Sequence, residues 1–426
     1  MRIGLQTWGS EGDIRPFLAL GHGLAARGHV VELVYTEIGD RRYEHVAQAL
    51  GFTARAVGQP MMPRPDDMLR LGQRVVEARD PLTQGRLLNR FFFQPVVDTI
   101  YDAAVDLCRR SDLVIGHFFL YPLRAAAEQA GRTAMSITFA HAMLPSRRIH
   151  PVGTPNLGRW GNVVEWQIAR LALNLTMLPE VNRFRSRLGL PKCRDLLRDV
   201  WSSHVLNLVA VSPVICPPPP DWPAWHALCG FLELPPTEHE RVPRDVEQFL
   251  ADGPPPVFMG FGSLMPTDSP QLTDTVKVMA GAARQARCRA IIQANIAPPA
   301  GLTDRDILVV KRTPHAAIFS RCAAVVHHAG AGTTHTTLRA GVPSIPVPHV
   351  SDQFSWSEDL VRLGVAATPL PRRSFTVARL ANRLTAVLGN HAMRRTAEAA
   401  GLRMRGEDGV TTAADLIESR VGWNET

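Results

Sequence analysis

Apolar positions along the chain fall in short runs separated by amphipathic stretches, which predicts alternating strands and helices. Residues 3–7 read as a strand, 14–27 as a helix and 30–35 as a second strand. A helix over 90–109, strand 113–116, helix 123–130 and strand 135–139 continue the alternation. Farther on, 257–263, 290–293, 307–310, 322–326 and 344–348 carry the apolar, β-branched character of buried parallel strands, with a helix expected over 334–340. From Val410 onward Ala413, Ala414, Leu416 and Ile417 mark an amphipathic terminal helix, with Val421 and Trp423 available for docking.

At 426 residues the chain is too long for one compact core and predicts two α/β domains. Prolines crowd 213–223, excluding helix and central strand, so this stretch is the expected linker. The expected division is 1–212, linker 213–223, 224–405, and a terminal helix in 406–426 that returns to the first domain.

Composition narrows the class. The net charge of +8 rests on arginine, since only three of the 47 basic residues are lysine. No basic stripe with interleaved aromatics is present, which argues against a nucleic-acid partner. No apolar run approaches the ~18 residues of a membrane span, and the N-terminus enters a strand directly. Six scattered cysteines without a Cys-x-x-Cys pair argue against structural zinc and for a reducing compartment, so the expected location is the cytoplasm.

The chemistry concentrates in His327-His328-Ala329-Gly330-Ala331-Gly332-Thr333-Thr334-His335, where a strand gives way to a helix. Unpaired amides and the dipole of the first helical turn favour an anion there. Ala331, Gly332, Thr333 and Thr334 are the expected donors to a phosphate, with a further hydrogen bond from His328. No Lys follows the glycines, so the P-loop pattern is unmatched. Downstream, Asp352 and Gln353 are expected at the end of the 344–348 strand, where a carboxylate beside an amide suits sugar hydroxyls. Diphosphate plus sugar describes a nucleotide sugar.

His-His-x-Gly-x-Gly-Thr-Thr, then Ala340-Gly341-Val342-Pro343, then Asp352-Gln353 resembles the donor signature of the family 1 nucleotide-sugar glycosyltransferases. The resemblance implies the GT-B fold: two facing Rossmann-like domains with parallel sheets and a C-terminal crossover helix. It implies a donor-binding second domain, an acceptor-binding first domain, and no metal or cofactor, the nucleotide sugar being a substrate. Gly9-Ser10-Glu11-Gly12-Asp13-Ile14-Arg15-Pro16 is similar to the family segment whose aspartate faces the acceptor hydroxyl, which makes Asp13 the expected base. The competing reading of Asp13 is a helix N-cap, and Glu11 stands where relatives often carry Arg. Ser10 and Ser263 join the expected donor contacts, Ser263 in the turn where relatives meet the phosphates.

His117 and His141, each just past a strand, are expected on the acceptor side, as are the stretches 61–93 and 141–181 with Trp160 and Trp166. His22, His29, His327 and His335 read as structural, His335 on a helix surface. Thr313-Pro314-His315 reads as an N-cap with proline at N1, His315 a weak candidate near the nucleotide base. Thr336 stands where plant relatives carry a ribose-binding glutamate, and Ala329 replaces a frequent glycine. The segment 348–356 resembles the sterol-glucosyltransferase-like branch and favours UDP-glucose. The expected activity is inverting transfer of a hexose to a hydroxyl of an apolar small molecule, a natural-product aglycone or sterol. The alternatives are a lipid or rhamnolipid-type enzyme using a dTDP-sugar, and a catalytically silent partner protein.

Overall fold

The structure is a computed structural model that describes residues 1–39, 41–58, 74–75, 77–78, 80–235, 241–262, 270–297 and 301–422. The chain forms two compact units. The first takes Met1–Pro63, Glu77–Pro235 and Asp408–Thr426, and Pro236–Glu407 forms the body of the second.

The first unit is a seven-stranded parallel sheet of β1 (Arg2–Gly9), β2 (Val30–Glu37), β3 (Thr53–Ala56), β4 (Leu113–His117), β5 (Thr133–Thr138), β6 (Asn207–Val209) and β7 (His226–Leu228). Its order, β3-β2-β1-β4-β5-β6-β7, reverses direction between β1 and β4. Helix α1 (Glu11–Ala26) covers one face with Ile14, Phe17, Leu18 and Leu24, and α2 (Val97–Arg110) covers the other with Ile100, Ala104 and Leu107. Both faces are therefore apolar, which is why the strands read as continuous apolar runs.

Where a helix was expected over 90–109, the chain makes a π turn at Asn89–Phe93 and a 3₁₀ turn at Gln94–Val96 before α2 begins. Pro95, which has no amide hydrogen, stands in that irregular entry. Two further helices matter below, α3 (Gly158–Thr176) and, in the second unit, α4 (Ala331–Arg339).

The proline-rich stretch is not the linker. Asp221 accepts hydrogen bonds from Ser146 Oγ at 2.9 Å and Arg147 N at 2.6 Å, and β7 after it pairs with β6 in the first sheet. The units divide at Pro235/Pro236. Proline excludes helix and central strand but does not choose between a linker and a loop, and three-residue β7 is too short to show a period.

Helix α5 (Gly409–Val421) belongs to the first unit. Ala413, Ala414 and Ile417 are fully buried in the α1 side of the core. Gly23 admits Val410, since a Cβ there would lie 2.2 Å from Val410 Cγ1. Arg27 pairs with Asp415 at 2.6 Å and Glu418 at 2.7 Å, and His29 Nε2 lies 2.9 Å from Glu418. Trp423 lies outside the described residues.

The second unit is a five-stranded parallel sheet, β8 (Val257–Gly260), β9 (Ala290–Gln293), β10 (Ile307–Val310), β11 (Ala324–His327) and β12 (Ser344–Pro346), in the order β10-β9-β8-β11-β12. Its direction reverses between β8 and β11. No helix among the described residues is long and apolar enough to cross a membrane.

Candidate functional site

In a doubly wound sheet the crevice for a ligand opens at the carboxyl ends of the strands, where the order reverses. In the first unit that point lies between the ends of β1 and β4, and it holds Asp13 and His117. Ser10 is the N-cap of α1 and Asp13 is its third residue. The Asp13 carboxylate folds back so that Oδ2 accepts from Ser10 N at 2.8 Å and from Ser10 Oγ at 3.1 Å. Gly9 makes this possible: its φ is +127°, and a Cβ there would lie 2.3 Å from Asp13 Oδ2. Asp13 is thus not the N-cap; its side chain bonds back to the N-cap, in the manner of one half of a capping box.

The other oxygen, Oδ1, faces His117 Nε2 at 3.8 Å. His117 Nδ1 accepts from Phe119 N at 3.3 Å, which places the ring proton on Nε2. Burial pushes His117 down to about 3, so it meets Asp13 as a neutral dipole and not as an ion pair. Glu11 is engaged by Arg41 and by Arg15 at 3.6 Å. His141 is buried in a 3₁₀ turn beyond β5.

Aromatic side chains that sequence patterning did not single out crowd this point. Phe118 packs tilted against His117 with centroids 4.6 Å apart and edge-on to Trp201 at 5.4 Å, while Trp8 meets Phe93 at 4.9 Å and Phe119 at 5.6 Å. The Trp8 indole N–H is buried without a hydrogen-bond partner among the described residues. The signal was present as Phe118-Phe119 directly after His117, but Trp8 and Trp201 join it only through the fold. Within 61–93, residues 61–73, 76 and 79 lie outside the described residues; Asn89 is buried and donates to Glu180 at 2.6 Å. Trp166 is buried and donates to Ile149 O at 2.6 Å, whereas Trp160 is exposed.

In the second unit the reversal point holds the glycine-rich turn. Helix α4 begins at Ala331, earlier than expected, with Gly330 as N-cap. The amides of Ala331, Gly332 and Thr333 therefore form the open helix end. Thr334 is a correction to the expected donor set: its amide is bonded to Gly330 O at 2.9 Å and its hydroxyl is buried in the interior. His335 is corrected from surface to core, buried, with its ring edge-on to Trp356 at 5.2 Å.

His328 is enclosed by glycines. A Cβ at Gly330 would lie 2.4 Å from His328 Nε2, and one at Gly262 would lie 2.8 Å from Cε1. Gly330 is thus needed first to admit the imidazole, not only to let a ligand approach. Burial lowers His328 to about 4, so at neutral pH the ring carries no charge. Ser263 lies outside the described residues.

Ala329, where a glycine is frequent, holds φ at +62°, a conformation that costs an L-residue roughly 1–2 kcal/mol. Its amide donates to His327 Nδ1 at 3.1 Å, which fixes the turn. Ala329→Gly should raise stability by about 1 kcal/mol or less, because relief of strain is partly offset by a more flexible unfolded chain. A lower urea midpoint would contradict that strain.

Asp352 and Gln353 follow a loop after β12; Asp352 is the N-cap of helix Gln353–Arg362. Gln353 is buried, and its Oε1 accepts from His349 N at 2.8 Å and Val350 N at 3.2 Å. Its carbonyl therefore shapes the loop. Asp352 Oδ2 accepts from Trp356 Nε1 at 3.1 Å. His349, not singled out in the sequence, packs edge-on to Phe261 at 4.8 Å, and Arg372 lies over Phe261 at 5.6 Å. Arg372 has no carboxylate partner among the described residues, and its amide approaches Pro348 O at 3.4 Å on the same sheet edge. Pro314, not Thr313, is the N-cap of the short helix His315–Ile318, and His315 stacks on Phe319 at 4.7 Å.

Residues 286–409 match the family described as the C-terminal domain of erythromycin biosynthesis protein CIII-like proteins. The whole chain is 33% identical to O-mycaminosyltylonolide 6-deoxyallosyltransferase of Streptomyces fradiae, covering 98% of that protein. The chain belongs to the family 1 nucleotide-sugar glycosyltransferases. It is also 28% identical, over 98% of its length, to a sterol 3-beta-glucosyltransferase of Emericella nidulans, of which it covers 30%. The solved structure of the glycosyltransferase VinC in complex with dTDP superposes with a TM-score of 0.65 at 18% identity, covering 99% of this chain and all of that one. The protein is thus a glycosyltransferase with two parallel-sheet Rossmann-like units of the GT-B fold.

Proposed function

We propose that this glycosyltransferase transfers a deoxyhexose from a thymidine diphosphate donor to a hydroxyl of an apolar natural-product acceptor, with inversion. The observation that carries the reading is that each chemistry-bearing turn sits at the reversal point of its own parallel sheet. Asp13 takes the proton of the acceptor hydroxyl, whose oxygen attacks the anomeric carbon as the sugar–phosphate bond breaks. The leaving diphosphate gathers charge at the open amides of Ala331, Gly332 and Thr333. Asp352 and the amide end of Gln353 take sugar hydroxyls. Apolar rings around His117 suit an apolar acceptor.

Two considerations favour thymidine over the uridine suggested by the 348–356 segment. Thr336 Oγ1 donates to Gly332 O at 3.0 Å, so this position offers no carboxylate to a ribose 2′-hydroxyl, a group that thymidine diphosphate lacks. The Streptomyces fradiae relative is named for 6-deoxyallosyl transfer, and VinC was solved with dTDP. UDP-glucose stays the second reading, on the likeness to sterol glucosyltransferases.

Single-turnover assays with dTDP-deoxyhexose, dTDP-glucose and UDP-glucose test this. The thymidine donors should lead by roughly 10-fold in kcat/KM, and Thr336→Glu should narrow the gap. A UDP-glucose lead would overturn the nucleotide assignment. Absence of both transfer and donor hydrolysis, with complex formation retained, would instead indicate a partner protein.

A further inference from the structure

Helix α3 is apolar on two opposite faces, and among the described residues only one of them is covered. Its inner face buries Asn162 and Trp166 and packs Ala169 and Leu173 against the core of the first unit. Asn162 Nδ2 donates to Arg147 O at 3.1 Å, which with the Trp166 bond anchors the helix. On the outer face Leu157, just before the helix, and Trp160, Val164, Ile168, Leu171 and Leu175 are all exposed, from 59% for Val164 to 80% for Trp160. At 100° per residue these six side chains fall within a stripe only about 80° wide. A helix apolar on both faces is a helix built to be covered on both.

The width and symmetry of the stripe say what covers it. A narrow seam fits the ridge of one other helix. At on the order of 100 Å² each, the six side chains offer roughly 600 Å², most of the ~800 Å² that each partner of a standard interface buries. Leu157 and Leu175 lie equally far from position 166, as do Val164 and Ile168, with Trp160 and Leu171 nearly so. Two copies of the helix laid antiparallel about a two-fold axis therefore bring Leu157 to Leu175, Val164 to Ile168 and Trp160 to Leu171. That is the self-complementarity a two-fold interface needs. A lipid surface suits the stripe less well: the helix carries Arg159, Glu165 and Arg170, and Arg170 is engaged by Asp195, so the basic face of an interfacial helix is missing.

We infer that the outer face of α3 is the interface of a homodimer in which two copies of this helix pair antiparallel. Sedimentation velocity on the full chain across micromolar concentrations should show a dimer. Ile168→Glu with Leu171→Glu should weaken self-association by roughly 100-fold or more, with the circular dichroism and melting of the parent retained. Leu157→Cys and Leu175→Cys combined in one chain should yield a disulfide-linked dimer on oxidation, which neither single variant nor the parent gives. Cross-linking by the single variants would mean parallel pairing and overturn the geometry. A dimer that survives the double Glu variant would overturn the interface. A monomeric parent would overturn the inference too, with co-flotation on phosphatidylcholine–phosphatidylglycerol vesicles marking the stripe as a membrane contact.

Discussion

Asp13→Asn should lower turnover by roughly 100-fold or more while leaving donor affinity close to that of the parent. Asparagine keeps the size of the side chain and an oxygen that can accept from Ser10 N, so the start of α1 holds its shape. What it loses is the ability to take a proton. The open amides at the start of α4 belong to the other unit and are untouched. Single-turnover transfer and calorimetric titration with dTDP separate the two effects. Parent-like turnover in the variant would remove Asp13 as the base.

Acid should destabilise the protein from about pH 6.5 downward, the second unit more steeply than the first. Burial lowers His327 and His349 to about 3 and His328 to about 4 in the second unit. In the first unit it lowers His117 to about 3 and His226 to about 4. Between the ordinary histidine value and these native values the unfolded chain binds protons that the folded chain does not. Stability is therefore intact above about pH 6.5 and is lost as pH falls toward 4. Each such histidine removes up to about 1.4 kcal/mol per pH unit, and three together are large against a total stability of about 5–15 kcal/mol. Thermal unfolding followed from pH 7.5 to 4.5 should show the fall, and His349→Phe, which keeps a ring against Phe261, should make it shallower. A melting temperature that stays flat from pH 7 to pH 5 would show these imidazoles are solvated.

Much of this was legible in the sequence because it depends on local pattern. The strand–turn–helix reading of 322–340 and the pairing of that turn with Asp352-Gln353 follow from apolar periodicity and residue type. The packing of Ala413, Ala414 and Ile417 was legible for the same reason. Thr334 and His335 were misplaced because α4 starts at Ala331, three residues early, and each residue of shift turns a side chain by about 100°. That rotation carried both inward. The boundary at 213–223 failed because proline reports what a segment cannot be, and only the pairing of β7 with β6 shows which unit holds it.

The sequence by itself determined the alternation of strands and helices, the glycine-rich turn between strand and helix at 327–335 and the carboxylate at position 13. These depend on near neighbours along the chain: spacing of apolar residues, unpaired amides at a helix start, a glycine that lets the backbone turn. Only the tertiary structure decided that Gly262 and Gly330 close around His328, that Gln353 spends its carbonyl on the loop before it, and that Trp8, Phe93, Phe118, Phe119 and Trp201 gather near Asp13. It also decided that α3 keeps an apolar face toward solvent. Each of these depends on strands far apart in sequence lying side by side in one sheet, and burial at a contact is a property of the partner as much as of the residue.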